Sequence, residues 1–449
     1  MAESSRRNHL DRRRFLGVAG GLTAAGLFAA CGGKATSASG GTAKVDSLTV
    51  WNGTFDAFGK GTNTTKKKDE YWLAQAITTY KAEHGTSITV DNSPDGGPDL
   101  LTKIRTSGVA RKGPDLATVW SGTYLLSVKN YLAPLSDHYP TDKRAGIVGW
   151  ESVSDGLVDG GKLYGVPCGT DSLTCLYYNT KVLKKAGVSV DADKVQEWDE
   201  FIGMLDKIKA TGITPLALNS TSYIYFTLLY WIAQQVGGSP GIVDLGNGKR
   251  KFASPEVQTA VDRWVSLKPY TNAGVPVTKG DANMKQMLQS KTGIMSGANL
   301  ADLRVGLGQS VSITKLPNIT TDAPLRDSGI GGPGQAFVIP AASKNLDATV
   351  GFINFLNSPD QQLKRAKLNE GPLPNVPGLV GTDVFPDPLA KKLATWSTGK
   401  FVFWPDNTLD ANLISDLAAQ AQLVWNGNIT SAQFLEQLDK KRDQILSGA

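Results

Sequence analysis

A chain of 449 residues is too long for one ordinary hydrophobic core, so two large lobes are the starting expectation. Its 41% hydrophobic and 20% charged residues describe a globular protein. The net charge of +6 is modest, and five arginines fall in the first fourteen residues (Arg6, Arg7, Arg12, Arg13, Arg14). No basic stripe remains beyond them, which excludes nucleic acid as the expected partner.

In chain order, Asp11-Arg12-Arg13-Arg14-Phe15-Leu16 resembles a twin-arginine export signal, with Asp11 where Ser or Thr is usual. The apolar run Gly17 to Ala30 is shorter than the about 20 residues a membrane span needs and fits the h-region of a signal peptide. It ends in Phe28-Ala29-Ala30-Cys31-Gly32, which resembles a lipobox with Phe28 in place of Leu. Cys31 is the expected acylated N-terminus, and the Gly/Ser/Thr/Ala-rich residues up to 43 read as a flexible tether. An ordinary signal peptide with an incidental cysteine is the alternative. The expected location is the extracellular face of a bacterial cell membrane, reached through a lipid anchor.

Leu48–Trp51 reads as a strand, Glu70–His84 as an amphipathic helix, Ser87–Val90 as a strand, Leu100–Thr106 as a helix and Leu116–Trp120 as a strand. That alternation predicts parallel pairing with helices on both faces. Ligands of such sheets bind at the carboxyl ends of strands, here the loops Asn52–Phe55 and Trp120–Tyr124. Further on, Ser254-Pro255-Glu256 and Ser358-Pro359-Asp360-Gln361 carry helix-start signals, Gln361 standing where a capping box needs it. Thr430-Ser431-Ala432-Gln433 opens a last helix to about Leu446, and short strands are expected at Thr214–Leu218, Thr292–Met295 and Ala336–Ile339.

Catalytic patterns are sparse. The three histidines, His9, His84 and His138, stand in the leader or in polar contexts, and no HExxH, P-loop or CxxC occurs. Cys168 and Cys175 do not match zinc spacing, and Asp91–Gly96 lacks the distal glutamate of a calcium loop. No cofactor, metal or catalytic residue is expected. Two carboxylates meeting in space for glycoside hydrolysis remain an alternative, as a secreted hydrolase.

A series of motifs then stands in order: Leu48–Gly53; Gly113-Pro114-Asp115-Leu116; Tyr131–Leu135; Gly161–Pro167 followed by Leu176–Thr180; Glu197-Trp198-Asp199-Glu200-Phe201; Gly331-Gly332; Ser343-Lys344-Asn345; and Gly371-Pro372-Leu373-Pro374. Together they resemble the extracellular solute-binding proteins of bacterial carbohydrate ABC importers, of the maltose-binding-protein type, over essentially the whole mature chain. The resemblance implies a two-lobe α/β periplasmic-binding-protein fold, with hinge strands and a ligand cleft between the lobes. Crossings are expected near Cys168–Asp171, Gly329–Gly334 and Asn357–Pro359. The implied division is a signal peptide over 1–30, a tether over 31–43, a first lobe of 44–168 with 333–357, and a second of 172–330 with 358–449. A carbohydrate ligand, ABC permease subunits and a monomeric state are implied as well.

Sugars offer C–H faces to aromatic rings and hydroxyls to carboxylates and amides. Carried over position by position, Asp171 lines up with the family's sugar-binding acid, Trp120 with a stacking tryptophan and Tyr225 with a stacking tyrosine. Thr123 stands where an acid is found, and Asn299 where a tryptophan is found, which puts one stacking platform in doubt. Asn52, Thr54, Tyr124, Gly332, Trp404 and Asn407 complete the candidate set. Trp51 and Trp120 also read as core residues at strand ends. A polyamine, a polyol phosphate or an iron complex is the alternative ligand in the same fold. Cys168 and Cys175, seven residues apart, would stand about 23 Å apart in an extended segment. A disulfide needs Cα atoms about 4.4–6.8 Å apart, hence a tight reversal at Gly169-Thr170-Asp171, and the pairing stays open.

Overall fold

The computed structural model describes residues 45–55, 67–93, 96–156, 161–171, 173–368, 370, 373–376, 379 and 384–448, all within one unit, Thr42–Ala449. The expected leader and tether with Cys31 lie outside the described residues, as do Gly371 and Pro372 of the last motif.

In chain order the strands are β1 (Ser47–Asn52), β2 (Ser87–Asn92), β3 (Leu116–Trp120), β4 (Val166–Pro167), β5 (Cys175–Asn179) and β6 (Thr214–Ala217). They are followed by β7 (Thr292–Ser296), β8 (Val311–Lys315), β9 (Ile330–Gly331), β10 (Gln335–Val338) and β11 (Val402–Phe403). One sheet has the order β2-β1-β3-β10-β4, a second the order β6-β7-β5-β8, and β9 pairs with β11.

The expected parallel pairing holds for β1 with β2 and with β3. Strand β10, however, runs antiparallel between β3 and β4. It enters from the crossing at Gly331–Gly334, at the carboxyl end of β3, so it can only run back against it. Each sheet has its own core. Leu48, Val50, Trp72, Ile104, Val119, Phe337 and Phe352 belong to the first; Tyr178, Phe201, Leu216, Trp231, Trp264, Ile294 and Phe434 belong to the second.

The helix signals resolve unevenly. Trp72–His84 buries Trp72, Leu73, Ala76 and Tyr80, the spacing of one helical face. Thr430 and Gln433 form a full capping box at the last helix, Ser431–Ser447. Ser358 accepts from the Gln361 N–H without the reciprocal bond, and Ser254 occupies its cap position with no side-chain bond at all. Helix Pro359–Lys367, expected with the second lobe, packs instead on Trp72–His84 and on Leu346–Leu356 of the first body. The division expected at Asn357–Pro359 therefore falls after that helix.

The bodies meet along the first crossing. Thr170 exchanges both backbone hydrogen bonds with Leu373 at 2.8 Å, the Asp171 N–H donates to Gly332 O at 3.1 Å, and the Thr174 N–H donates to Ile330 O at 2.7 Å. Cys168 and Cys175 are free thiols, both buried and both pushed up to about 12 by burial. Beside Cys168 lies Arg365, fully buried, its Nη1 donating to the Cys168 carbonyl at 3.0 Å. Its guanidinium lies 5.4 Å from the Phe55 ring centre and 5.1 Å from that of Trp72, beside two rings that themselves meet edge to face at 5.0 Å. Arg365→Ala is expected to cost about 3 kcal/mol, from the lost bond to a buried carbonyl and the cavity left behind. Arg365→Met should recover only the packing share. Urea-unfolding midpoints measure both, and an unchanged midpoint in Arg365→Ala would refute the assignment.

Candidate functional site

Three chain segments converge where the two bodies face each other. The first is the loop after β3, where Gly122 at φ +65° turns the chain into a short helix, Thr123–Leu126. The Trp120 and Tyr124 rings meet edge to face there at 5.1 Å. The second is Ser222–Leu228, wound as a π-helix, with Ser222, Tyr223, Ile224, Thr227 and Leu228 buried. That winding leaves Tyr225 and Phe226 adjacent and half-buried at its surface. Tyr223 turns inward and stacks on Trp264 at 5.8 Å. The third is Trp404 followed by the single turn Pro405–Asn407. Trp404 lies 5.9 Å from the Phe226 ring.

Asp171 joins these segments from the crossing. The Trp404 indole N–H points at the Gly332 carbonyl, 3.4 Å away, and also serves the Asp171 carboxylate, as the Gly334 N–H does. Both donors favour the charged carboxylate, but burial opposes them and prevails, and Asp406 adds repulsion, so Asp171 is pushed up to about 6. A Cβ on Gly334 would overlap Asp171 Oδ2, so only glycine leaves room for this carboxylate. Asp406 is itself pushed up to about 6 by burial, against its own backbone N–H, and its Oδ1 is shut off from solvent with no hydrogen-bond partner among the described residues. Burial raises the Tyr124 and Tyr225 phenols, and the Asp406 charge raises both further. Asp171, Asp406, Tyr124 and Tyr225 thus share one electrostatic neighbourhood.

The bodies also touch at the rim. Thr123 Oγ1 donates to the Leu409 carbonyl at 3.1 Å, and Gly122 lies so close to the Asn407 carbonyl that a Cβ there would collide with it. Thr123 and the buried Asn407 are therefore closing contacts.

Of the predicted residues, Asp171, Trp120, Tyr124, Tyr225, Gly332 and Trp404 come together, with Thr123 and Asn407 at their edge. Asn52 does not join them. It is fully buried, donating to Phe55 O and Asn92 Oδ1 and accepting from the N–H groups of Thr54 and Phe55, so its amide serves the turn after β1. Thr54 lies in that turn, its Oγ1 buried without a partner among the described residues. Asn299 is exposed and caps helix Leu300–Leu307 by accepting from the Ala301 N–H at 2.8 Å. Sequence reasoning missed Asp406 and Phe226; Asp406 stood inside the run Trp404-Pro405-Asp406-Asn407, where an acid after proline reads as a turn residue.

A cavity of about 600 Å³ elsewhere is lined by Glu197, Glu200, Lys315, Arg326 and Trp396 among others. It too offers acids and a ring, but Glu197 is paired there with Arg326. The interbody acids have no such partner among the groups that act on them.

A family model described as bacterial extracellular solute-binding protein matches residues 75–392. The chain is 22% identical over 283 residues to an ABC transporter extracellular-binding protein of Pyrococcus horikoshii, spanning only 60% of either chain. It is 27% identical over 367 residues to a maltooligosaccharide ABC transporter solute-binding lipoprotein of Streptococcus pneumoniae, spanning 77% of each. The solved structure of the sugar-binding protein MalE from Xanthomonas citri superposes with a TM-score of 0.70 at 18% identity, covering 90% of this chain and 98% of that one. At such identity the likeness shows the fold: two lobes of α/β type.

The acid pair has a signature in stability. A carboxyl raised in the folded state contributes stability that is fully present below its unfolded value and is lost as pH rises through about 6. The double variant Asp171→Asn, Asp406→Asn should therefore be more stable than the parent at pH 8, by about 3 °C or more in Tm, with the gap closing toward pH 4. Thermal unfolding across that range measures it, and a gap independent of pH would remove the raised carboxyls.

Proposed function

The chain belongs to the bacterial extracellular solute-binding proteins, and on that premise we propose that it captures a di- or oligosaccharide between its two bodies and delivers it to the permease of an ABC importer. The observation that carries this reading is the meeting of Trp120 and Tyr124 from one body with Tyr225, Phe226 and Trp404 from the other, around the Asp171 carboxylate. Rings of this kind cover the C–H faces of a pyranose, and a carboxylate accepts from its hydroxyls. The maltooligosaccharide lipoprotein of Streptococcus pneumoniae and the sugar-binding MalE support a sugar over a polyamine or a polyol phosphate.

In this reading the protein binds and does not catalyse. The first body, residues 44–168 with 333–357 and the helix Pro359–Lys367 packed on it, closes on the second about the crossings at 168–171 and 329–334. Cys31 carries the lipid, the arginine pair at 12–13 directs export, and a monomer works at the outer face of the cell membrane.

A ligand at a hundredfold excess over its Kd stabilises the native state by about 2.7 kcal/mol. A thermal-shift panel of neutral and amino saccharides should therefore give a concentration-dependent rise in Tm for at least one of them. Silence to every saccharide, with a response to a polyamine or a polyol phosphate, would overturn the sugar reading. Asp171→Ala is expected to weaken the identified sugar by at least ~1.4 kcal/mol, one decade in Kd, by calorimetry. In cells, Cys31→Ser should abolish incorporation of labelled palmitate and move the protein out of the membrane fraction; continued labelling excludes Cys31 as the anchor.

A further inference from the structure

Two acids elsewhere in the described residues are matched with arginine: Asp387 pairs with Arg304 at 2.6 Å, and Asp439 with Arg442 at 2.6 Å. Asp171 and Asp406 instead repel each other, and the groups favouring their charge are an indole N–H and backbone N–H groups, with no lysine or arginine among them. Tyr124 and Tyr225, the other titratable groups facing Asp406, are themselves disfavoured as anions. Asp406 Oδ1 adds an independent sign, being shut off from solvent with no donor among the described residues. A buried acceptor left so costs free energy until something donates to it.

A neutral sugar only partly meets this need. Its hydroxyls can donate to both carboxylates, but the enclosed negative charge remains, and closing the cleft over it forces one acid to take up a proton. A protonated amine brings a positive charge and several N–H donors at once. Charge-assisted bonds of that kind are about twice as strong as neutral ones. The faces of Trp120, Tyr225 and Trp404 favour a cation as well as a C–H surface.

We propose that the ligand is an amino sugar whose protonated amine sits between Asp171 and Asp406, with its ring against the aromatic side chains. This rests on the sugar reading and narrows it to one substrate class.

The test uses sets of saccharides that differ at one carbon only: glucosamine, N-acetylglucosamine and glucose, the galactose series, and their dimers, with spermidine as an amine that has no sugar ring. Calorimetry at pH 7.5 should show the free amine bound at least tenfold more tightly than its hydroxyl and N-acetyl counterparts. Asp406→Asn should erase that preference. In the parent, the preference should shrink between pH 7.5 and pH 5, as the carboxylates gain protons. Equal or tighter binding of the hydroxyl or N-acetyl members overturns the amine and leaves the sugar reading standing. Spermidine binding, with every saccharide silent, keeps the cation and overturns the sugar. No binding by any member overturns the amine assignment. Should Asp406→Asn fail to fold, the parent's pH series decides alone, and a preference unchanged at pH 5 refutes the proposal.

Discussion

Everything at this site hangs on a main-chain pairing, the hydrogen bonding of Thr170 and Asp171 to Leu373 on one side and Gly332 on the other. It brings the first crossing into register with the second, so the strand joining the two bodies also presents the acid that faces the cleft. Pinning the backbone of Asp171 makes its carboxylate a fixed element rather than a mobile one. The arrangement requires little volume at its neighbours, and glycines stand at 331, 332 and 334. Gly332 has φ +90° and is pressed against the Phe401 ring. A side chain there would meet both backbone strain and that ring.

The electrostatics follow from the same geometry. A carboxylate enclosed between two bodies loses hydration, and a second one nearby deepens the loss. Asp387 and Asp439, by contrast, are matched with arginine. Arg365, beside Cys168, shows a different solution. Its cation lies against the Phe55 and Trp72 rings and spends a donor on the Cys168 carbonyl, so it steadies the crossing. Structural charge is compensated, and cleft charge is left for a visitor.

Much of the architecture was legible in the sequence. Alternating apolar spacing located β1 to β3 and the helices between them, since each buries one face on the same sheet. The antiparallel entry of β10 was not legible, because strand direction there is set by where the chain returns from. At the site, Trp120, Tyr225, Trp404 and Asp171 could be read from motif order. Asn52 and Asn299 could not be told from ligand-binding amides, because the same side chain that binds a hydroxyl also closes a turn or caps a helix. Asp406 was hidden for the converse reason: an acid in a proline turn has a sufficient local explanation. Helix Pro359–Lys367 was misplaced because its amphipathic pattern says which face is apolar and not which body it meets.

The rim contacts have a bearing on how such a receptor diversifies. Thr123 reaches a carbonyl of the peptide chain at Leu409, and Gly122 lies against that of Asn407. One side of each rim contact is thus a main-chain carbonyl, met by a hydroxyl at 123 and by a missing Cβ at 122. The rings at 120, 124 and 225 take no part in those two contacts, whereas Trp404 is tied to the crossing through the Gly332 carbonyl. Such a separation lets the rings facing the cleft change in single steps while the rim contacts stay as they are.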